Sequence, residues 1–243
     1  MTIEGMFRLD GRRALVTGGS KGIGRASAEA LRAAGAAVTI TGRGERELAA
    51  SGFPFWAIDA IDTAAMRLEF AAAAPFDILV ANAGTNVPQK TLEVTEEAWD
   101  RIFTLNVRAA FFAAQAAARR MVAAGQGGVI VFLGSQMGVV GGEGRAAYCG
   151  SKHALEGIAK AMALELAGHG IRVVCLNPTF VETPMTAPYF ADPATRDWIL
   201  GRIPMRRPAR LDEVAASLVY LCSPAAGMVT GSHLLVDGGW TAP

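Results

Sequence analysis

Three cysteines, three histidines and three tyrosines are all that 243 residues contain of those types, and each scarcity closes off some chemistry. Cys149, Cys175 and Cys222 are odd in number and widely spaced, which suits buried reduced thiols and argues against a disulfide frame or a thiolate metal site. His153, His169 and His233 are equally scattered, so the clustered ligands of a catalytic metal are missing. No uncharged apolar run is long enough to cross a bilayer. Residues 1–8 have neither the apolar centre of a signal peptide nor the Arg- and Ser-rich bias of a transit peptide, so the expected location is the cytoplasm. There is no block of like charge either. A balance of 23 Lys and Arg against 22 Asp and Glu leaves a net charge of +1, which gives nucleic acid and anionic membranes no electrostatic reason to bind. The expected partners are a small-molecule substrate and copies of the chain itself.

What the chain does have is apolar bulk, 51% hydrophobic residues against 19% charged, enough for one substantial core and a single domain over 1–243. Short apolar runs at 12–18, 37–42, 55–59, 77–82, 127–133, 171–178 and 233–237 read as strands. Helical patterns lie between them: from the first glycine turn to 35, then over 62–74, 95–124 without a break, 146–168 and 212–222. The connection 42–55 is too short for a full helix. Residues 179–209, rich in Pro, Thr and aromatics, read as an irregular substrate loop. Nearly all-apolar strands alternating with helices predict an α/β fold, one doubly wound, Rossmann-like parallel sheet of about seven strands covered on both faces.

Two stretches carry chemistry. Gly18-Gly19-Ser20-Lys21-Gly22-Ile23-Gly24 joins the first strand to the first long helix, the context in which a glycine turn and a helix N-terminus hold a dinucleotide pyrophosphate. At the front of the 146–168 helix, Tyr148 and Lys152 are four apart and so share one face. A cation beside a phenol lowers its pKa from about 10, which makes the pair an acid/base device. Ser135, Asn82 and Asn177 each lie at or just beyond the C-terminal end of an apolar strand, where ligands of open α/β sheets bind. In isolation, Ser135 would read as a turn serine and Asn106 as a residue relieving a helix kink.

Taken in order, Thr17-Gly18-x-x-x-Gly22-x-Gly24, Asp59, Asn82-Ala83-Gly84, Asn106, Ser135, Tyr148-x-x-x-Lys152 and Asn177-Pro178 resemble the short-chain dehydrogenase/reductase family over nearly the whole chain, in its ketoreductase, polyol or 3-oxoacyl reductase forms. The resemblance implies hydride transfer between a nicotinamide cofactor and a ketone, aldehyde or secondary alcohol. It makes Tyr148 the acid/base and Ser135 the group that holds the substrate carbonyl. Lys152 would lower the tyrosine pKa and hold the nicotinamide ribose, and Asn106 would anchor a proton-relay water. The implied cofactor contacts are Gly18, Ser20, Lys21, Gly22, Ile23, Gly24, Arg43, Asp59, Ala60, Asn82, Ala83, Gly84, Tyr148, Lys152, Pro178, Thr179, Val181, Thr183 and Met185. The sequence departs from the family pattern in two places: Thr179 stands where glycine is common, and Ala81 where asparagine is frequent.

The cofactor reading turns on Thr41-Gly42-Arg43. An NAD enzyme usually carries Asp or Glu at this point, whereas an arginine can grip the 2′-phosphate of NADP(H), with Lys21 and Ser20 adding a second cation and a hydroxyl. The competing reading leaves Arg43 in solvent and lets Glu45 hold the ribose of NAD(H). Candidate substrate-pocket residues are Gln136, Met137, Glu143, Arg145, Thr179, Tyr189, Phe190 and Trp198, which suit a small carbonyl, polyol, sugar acid or 3-oxoacyl compound. The apolar surfaces around Phe111-Phe112-Ala113-Ala114 and 154–167 predict a homodimer or homotetramer. A different class of function, a dinucleotide-binding regulator without turnover, would be expected to lose Tyr148 or Lys152. A sugar-nucleotide epimerase or dehydratase would need a larger substrate domain than the residues after Pro178 provide.

Overall fold

The computed structural model describes residues 2–242; Met1, part of the leader expectation, and Pro243 lie outside them. The strands are β1 (Arg13–Val16), β2 (Ala37–Gly42), β3 (Phe55–Ala57), β4 (Ile78–Ala81), β5 (Gly128–Leu133), β6 (Ile171–Pro178) and β7 (His233–Val236). The helices are α1 (Ile3–Met6), α2 (Gly22–Ala33), α3 (Glu45–Ala49), α4 (Thr63–Ala72), α5 (Glu96–Phe103), α6 (Ala110–Ala124), α7 (Ala146–Leu166), α8 (Ala187–Ala191), α9 (Pro193–Arg202) and α10 (Leu211–Cys222). All seven strands pair in parallel in the order β3-β2-β1-β4-β5-β6-β7. The order reverses between β1 and β4, and the crevice outside the strand ends at such a reversal is where ligands bind.

Successive side chains of a strand point to opposite faces, so an all-apolar strand needs cover on both. Val16, Val80, Val131 and Leu176 meet Ala28 and Leu31 of α2 and Val214, Leu218 and Leu221 of α10 on one face. Leu15, Leu79, Phe132 and Cys175 meet Met66 and Phe70 of α4, Ala114 and Met121 of α6, and Leu155 and Ala159 of α7 on the other. Alanines along α6 and α7 let these helices sit close to the sheet, which leaves Phe132 fully buried at the centre.

Three expectations change. The strand read as 55–59 ends at Ala57, and Asp59 instead accepts from Ile61 N in the turn that follows. The helix read as continuous over 95–124 is interrupted by a π-helical stretch, Thr104–Ala109; an extra residue in a turn alters the backbone ladder but not the apolar pattern. The segment read as irregular over 179–209 carries α8 and α9, each with proline in its first turn, where the missing N–H costs nothing. Asp192 caps α9 through Thr195 N at 2.9 Å. The short connection 42–55 holds only the five-residue α3, with Leu48 its one buried side chain.

Candidate active site

The glycine turn is held from below by Asn82. Its Nδ2 donates to the carbonyls of Thr17 at 2.8 Å and Gly18 at 3.1 Å, while Thr17 Oγ1 accepts from the backbone N–H of Asn82 and Ala83. Asn82 was expected to touch the cofactor; its amide is committed to the turn, which it braces. Gly18 has φ 65°, which favours glycine, and a Cβ on Gly24 would stand 2.3 Å from Gly18 O and 2.4 Å from Asn82 Nδ2. No side chain caps the N-terminus of α2, so its first-turn N–H groups are free to hold an anion. Thr183 lies 3.7 Å from where a Cβ on Gly22 would be, which brings the segment after β6 across this turn.

At the outer edge of the turn, Lys21 and Arg43 are exposed, and neither enters an ion pair or donates a side-chain hydrogen bond among the described residues. Two uncommitted cations, a glycine cradle with no room for a side chain, and a free helix N-terminus together suit a dinucleotide carrying an extra phosphate. Asp59 and Ala60 are half-buried beyond β3, and Gly84 lies 3.8 Å, by its ideal Cβ, from Lys152 Nζ. Pro178 ends β6 paired with Val236. Val181 is buried in the core under α10, and Met185 is 56% exposed.

At the C-terminal end of β5, Ser135 Oγ accepts from Met137 N at 3.2 Å and faces the start of α7. Tyr148, in the first turn of α7, is half-buried, and burial pushes its phenol up; the Ser135 hydroxyl and the Arg145 guanidinium pull it part of the way back. Lys152 is buried, donates to Leu133 O at 2.7 Å and has its Nζ 5.6 Å from the Tyr148 ring centre. Burial pushes its ammonium down to about 8. Without a ligand the lysine is turned to the β5 carbonyl, and the groups that draw the phenol down are Ser135 and Arg145.

Asn106 sits in the π-helical stretch, 1% exposed. Its Nδ2 donates to Thr85 O at 2.9 Å and Ser151 Oγ at 3.1 Å, and its Oδ1 accepts from Thr85 N at 2.8 Å. Its side chain therefore ties the loop after β4 to α7. Asn177 is tied in the same way, donating to Glu156 Oε1 at 2.6 Å; Glu156 in turn meets His233 Nδ1 at 3.0 Å.

Beside the start of α7 is a cavity of about 150 Å³ lined by Met137, Gly141, Gly142, Glu143, Arg145, Phe180, Trp198, Arg202 and Trp240. Met137, Glu143, Arg145 and Trp198 were foreseen. Tyr189 joins indirectly, its hydroxyl accepting from Arg145 Nη1 at 3.2 Å, and Phe190 packs edge-on against Phe180. Thr179 lines a separate cavity of about 260 Å³ beside Asp237 and Ser217. Arg202 and Trp240 were missed. Arg202 carries a faint signal, lying one helical turn after Trp198, but Trp240 arrives from beyond β7. Among the described residues, buried acceptors or hydroxyls on Asn86, Gln136 and Thr179 have no protein partner, and Asn86 was also missed, two residues past Asn82-Ala83-Gly84.

The fold and this cleft define a Rossmann-type dinucleotide oxidoreductase site, with a glycine turn at one end and a tyrosine-lysine pair on a helix at the other. A family model described as enoyl-(acyl carrier protein) reductase matches residues 18–241. The chain is 41% identical to the L-xylulose reductase of Bos taurus, covering 97% of this chain and 99% of that protein. It is 42% identical to the D-erythrulose reductase of Gallus gallus, covering 95% and 96%. A crystal structure of a gluconate 5-dehydrogenase from Burkholderia cenocepacia, in complex with NADP and tartrate, is similar over 100% of both chains with a TM-score of 0.95 and 34% identity. The chain belongs to the short-chain dehydrogenase/reductase family.

Proposed function

We propose that the protein is an NADP(H)-dependent oxidoreductase that interconverts a small ketone or aldehyde and the corresponding alcohol. The observation that carries this reading is the meeting of Ser135, Tyr148 and buried Lys152 at one end of a cleft whose other end is the glycine turn with Lys21 and Arg43 free beside it. The 2′-phosphate of the cofactor is assigned to Arg43, Lys21 and Ser20, its pyrophosphate to the first turn of α2, and its ribose to Lys152, which keeps two ammonium donors beyond the one given to Leu133 O. When bound, the nicotinamide ring supplies or accepts the hydride.

The rest of the chemistry belongs to this chain's side chains. Tyr148, protonated at neutral pH and more so for its burial, gives its phenolic proton to the carbonyl oxygen as the alcohol forms and takes it back in the reverse direction. Ser135 donates to the same oxygen and stabilises charge that develops there. Lys152, cationic below about pH 8, stabilises the phenolate left on Tyr148. Asn106 fixes the loop after β4 against α7, which keeps Lys152 and Gly84 in register.

The cavity size supports a small substrate. At roughly 15 Å³ of such space per water-sized group, about ten non-hydrogen atoms fit, the scale of a four- to six-carbon polyol or sugar acid. The names of the relatives, reductases or dehydrogenases of xylulose, erythrulose and gluconate, support the same range. Assembly as a homodimer or homotetramer is also proposed, supported by the exposed Gly157, Ala161 and Leu164 on α7 and half-buried Phe111 and Phe112 on α6. The test is NADPH and NADH consumption by the purified protein against a panel of small ketones and ketoses. Turnover with NADPH preferred is expected; preference for NADH, or oxidation of neither, would overturn the reading.

A further inference from the structure

Arg202 is held by aromatic faces. Its guanidinium carbon stands 4.7 Å from the centre of the Trp198 ring and 6.0 Å from that of Trp240, and the two indoles are 5.9 Å apart at 69° to one another. A planar guanidinium suits such a corner because it can stack while its N–H edge stays available for a planar, bidentate acceptor. Among the described residues Arg202 makes no ion pair and donates no side-chain hydrogen bond, although it lines the substrate cavity.

The rest of the lining gives the cavity its sign. Arg145 is the second cation, and its Nη1 is engaged with the neutral Tyr189 hydroxyl. Glu143 is the one carboxylate on the wall and forms no ion pair with either arginine. Two guanidinium groups against one carboxylate make the lining net positive. The two arginines also occupy different ends. Arg145 is the N-cap residue of α7, three residues before Tyr148, and so stands at the reacting end, whereas Arg202 comes from the last turn of α9.

We infer that Arg202 is the anion-holding residue of the substrate cavity, and that the preferred substrates are polyhydroxy keto acids whose carboxylate lies at the end remote from the reacting carbonyl. This deepens the oxidoreductase reading and rests on it. The carboxylate would replace water on the free edge of Arg202 with two parallel charge-assisted hydrogen bonds, while Glu143 would accept from hydroxyls along the chain. A neutral ketose of equal length fills the same space but leaves Arg202 unpaired, so selectivity comes from the charge and not from the fit.

The test compares 5-ketogluconate with L-sorbose at saturating NADPH. Both carry a ketone beside a terminal CH2OH on a six-carbon chain, and their far ends are a carboxylate and a CH2OH. The wild type should favour the keto acid. Arg202→Gln should raise its KM about tenfold or more with kcat nearly unchanged, and leave L-sorbose kinetics alone. A second measurement needs no turnover: tartrate, but not threitol, should raise the Tm of the NADPH complex, and Arg202→Gln should abolish that rise without lowering the Tm of the unliganded protein. Equal use of both ketones by the wild type, an equal loss on both in the variant, or a tartrate shift that survives Arg202→Gln would overturn the assignment. Failure of the wild type to oxidise NADPH with any carbonyl compound would instead strike the underlying oxidoreductase reading, and the melting experiment separates the two.

Discussion

The two ends of the cleft are built in different ways. The cofactor end is made of backbone: a glycine turn, a helix N-terminus and one asparagine bonded to the turn's own carbonyls, nearly all from residues 17–24 and 82–84. The proposed substrate end is made of side chains brought from 137–145, 180, 198–202 and 240, four stretches that meet only in the folded molecule. The first end is rigid and suited to a ligand whose phosphates never change. The second is a wall of aromatics and arginines that can be altered one residue at a time without disturbing the sheet.

The largest expected effect falls between the two ends. Tyr148→Phe removes only the proton-bearing hydroxyl, so kcat should drop by ~10²-fold or more while the NADPH Kd changes little; steady-state rates and a fluorescence titration read the two separately. Next comes a change that breaks the cofactor end alone. Gly24→Ala forces a methyl to within 2.3 Å of a backbone oxygen, so denaturant unfolding should show a loss of about 1–3 kcal/mol. NADPH affinity should fall with it, while substitutions at Trp198 spare both.

Smaller effects sharpen the contrast. Arg43→Ala should lower the NADPH-over-NADH preference in kcat/KM by about tenfold, on the scale of one lost charge-assisted contact to a phosphate. The smallest concerns pH. Lys152 ordinarily titrates at 10.5 and is held at about 8 in the folded chain. Between those values the unfolded chain binds more protons than the folded one, so stability should rise with pH across the window; Lys152→Met should remove the rise. The cofactor-referred kcat/KM should fall as pH passes upward through about 8, where the ammonium is lost.

The same contrast explains what could be read from the sequence. The turn at Gly18–Gly24, the strand order's alternation with helices, and the Tyr148 and Lys152 pair are local patterns, and local patterns survive in one dimension. Pro188 and Pro193 hide α8 and α9 in the sequence, because proline breaks a helix interior yet suits its first turn. The π-helical stretch around Asn106 left no trace in the apolar spacing. Asn82 and Asn106 stand out by position, but their amides brace the turn and the β4 loop, a role visible only from their partners. Val181 and Met185 share one short segment, and the backbone bridge from Val181 to Ala209 sends the first into the core and leaves the second in solvent. Trp240 reaches the cavity from beyond β7, a long-range closure that no spacing encodes.

The central claim is that hydride passes directly between nicotinamide C4 and a carbonyl carbon in this cleft. The direct test is to mix the protein with NADPH deuterated at C4 and a small polyhydroxy ketone, and to weigh the alcohol formed by mass spectrometry. With the label on the transferred face, the account predicts one deuterium on the new carbinol carbon and none elsewhere. A protein that binds NADPH tightly yet delivers no label to any carbonyl compound would contradict it, and would leave a dinucleotide-binding regulator in its place.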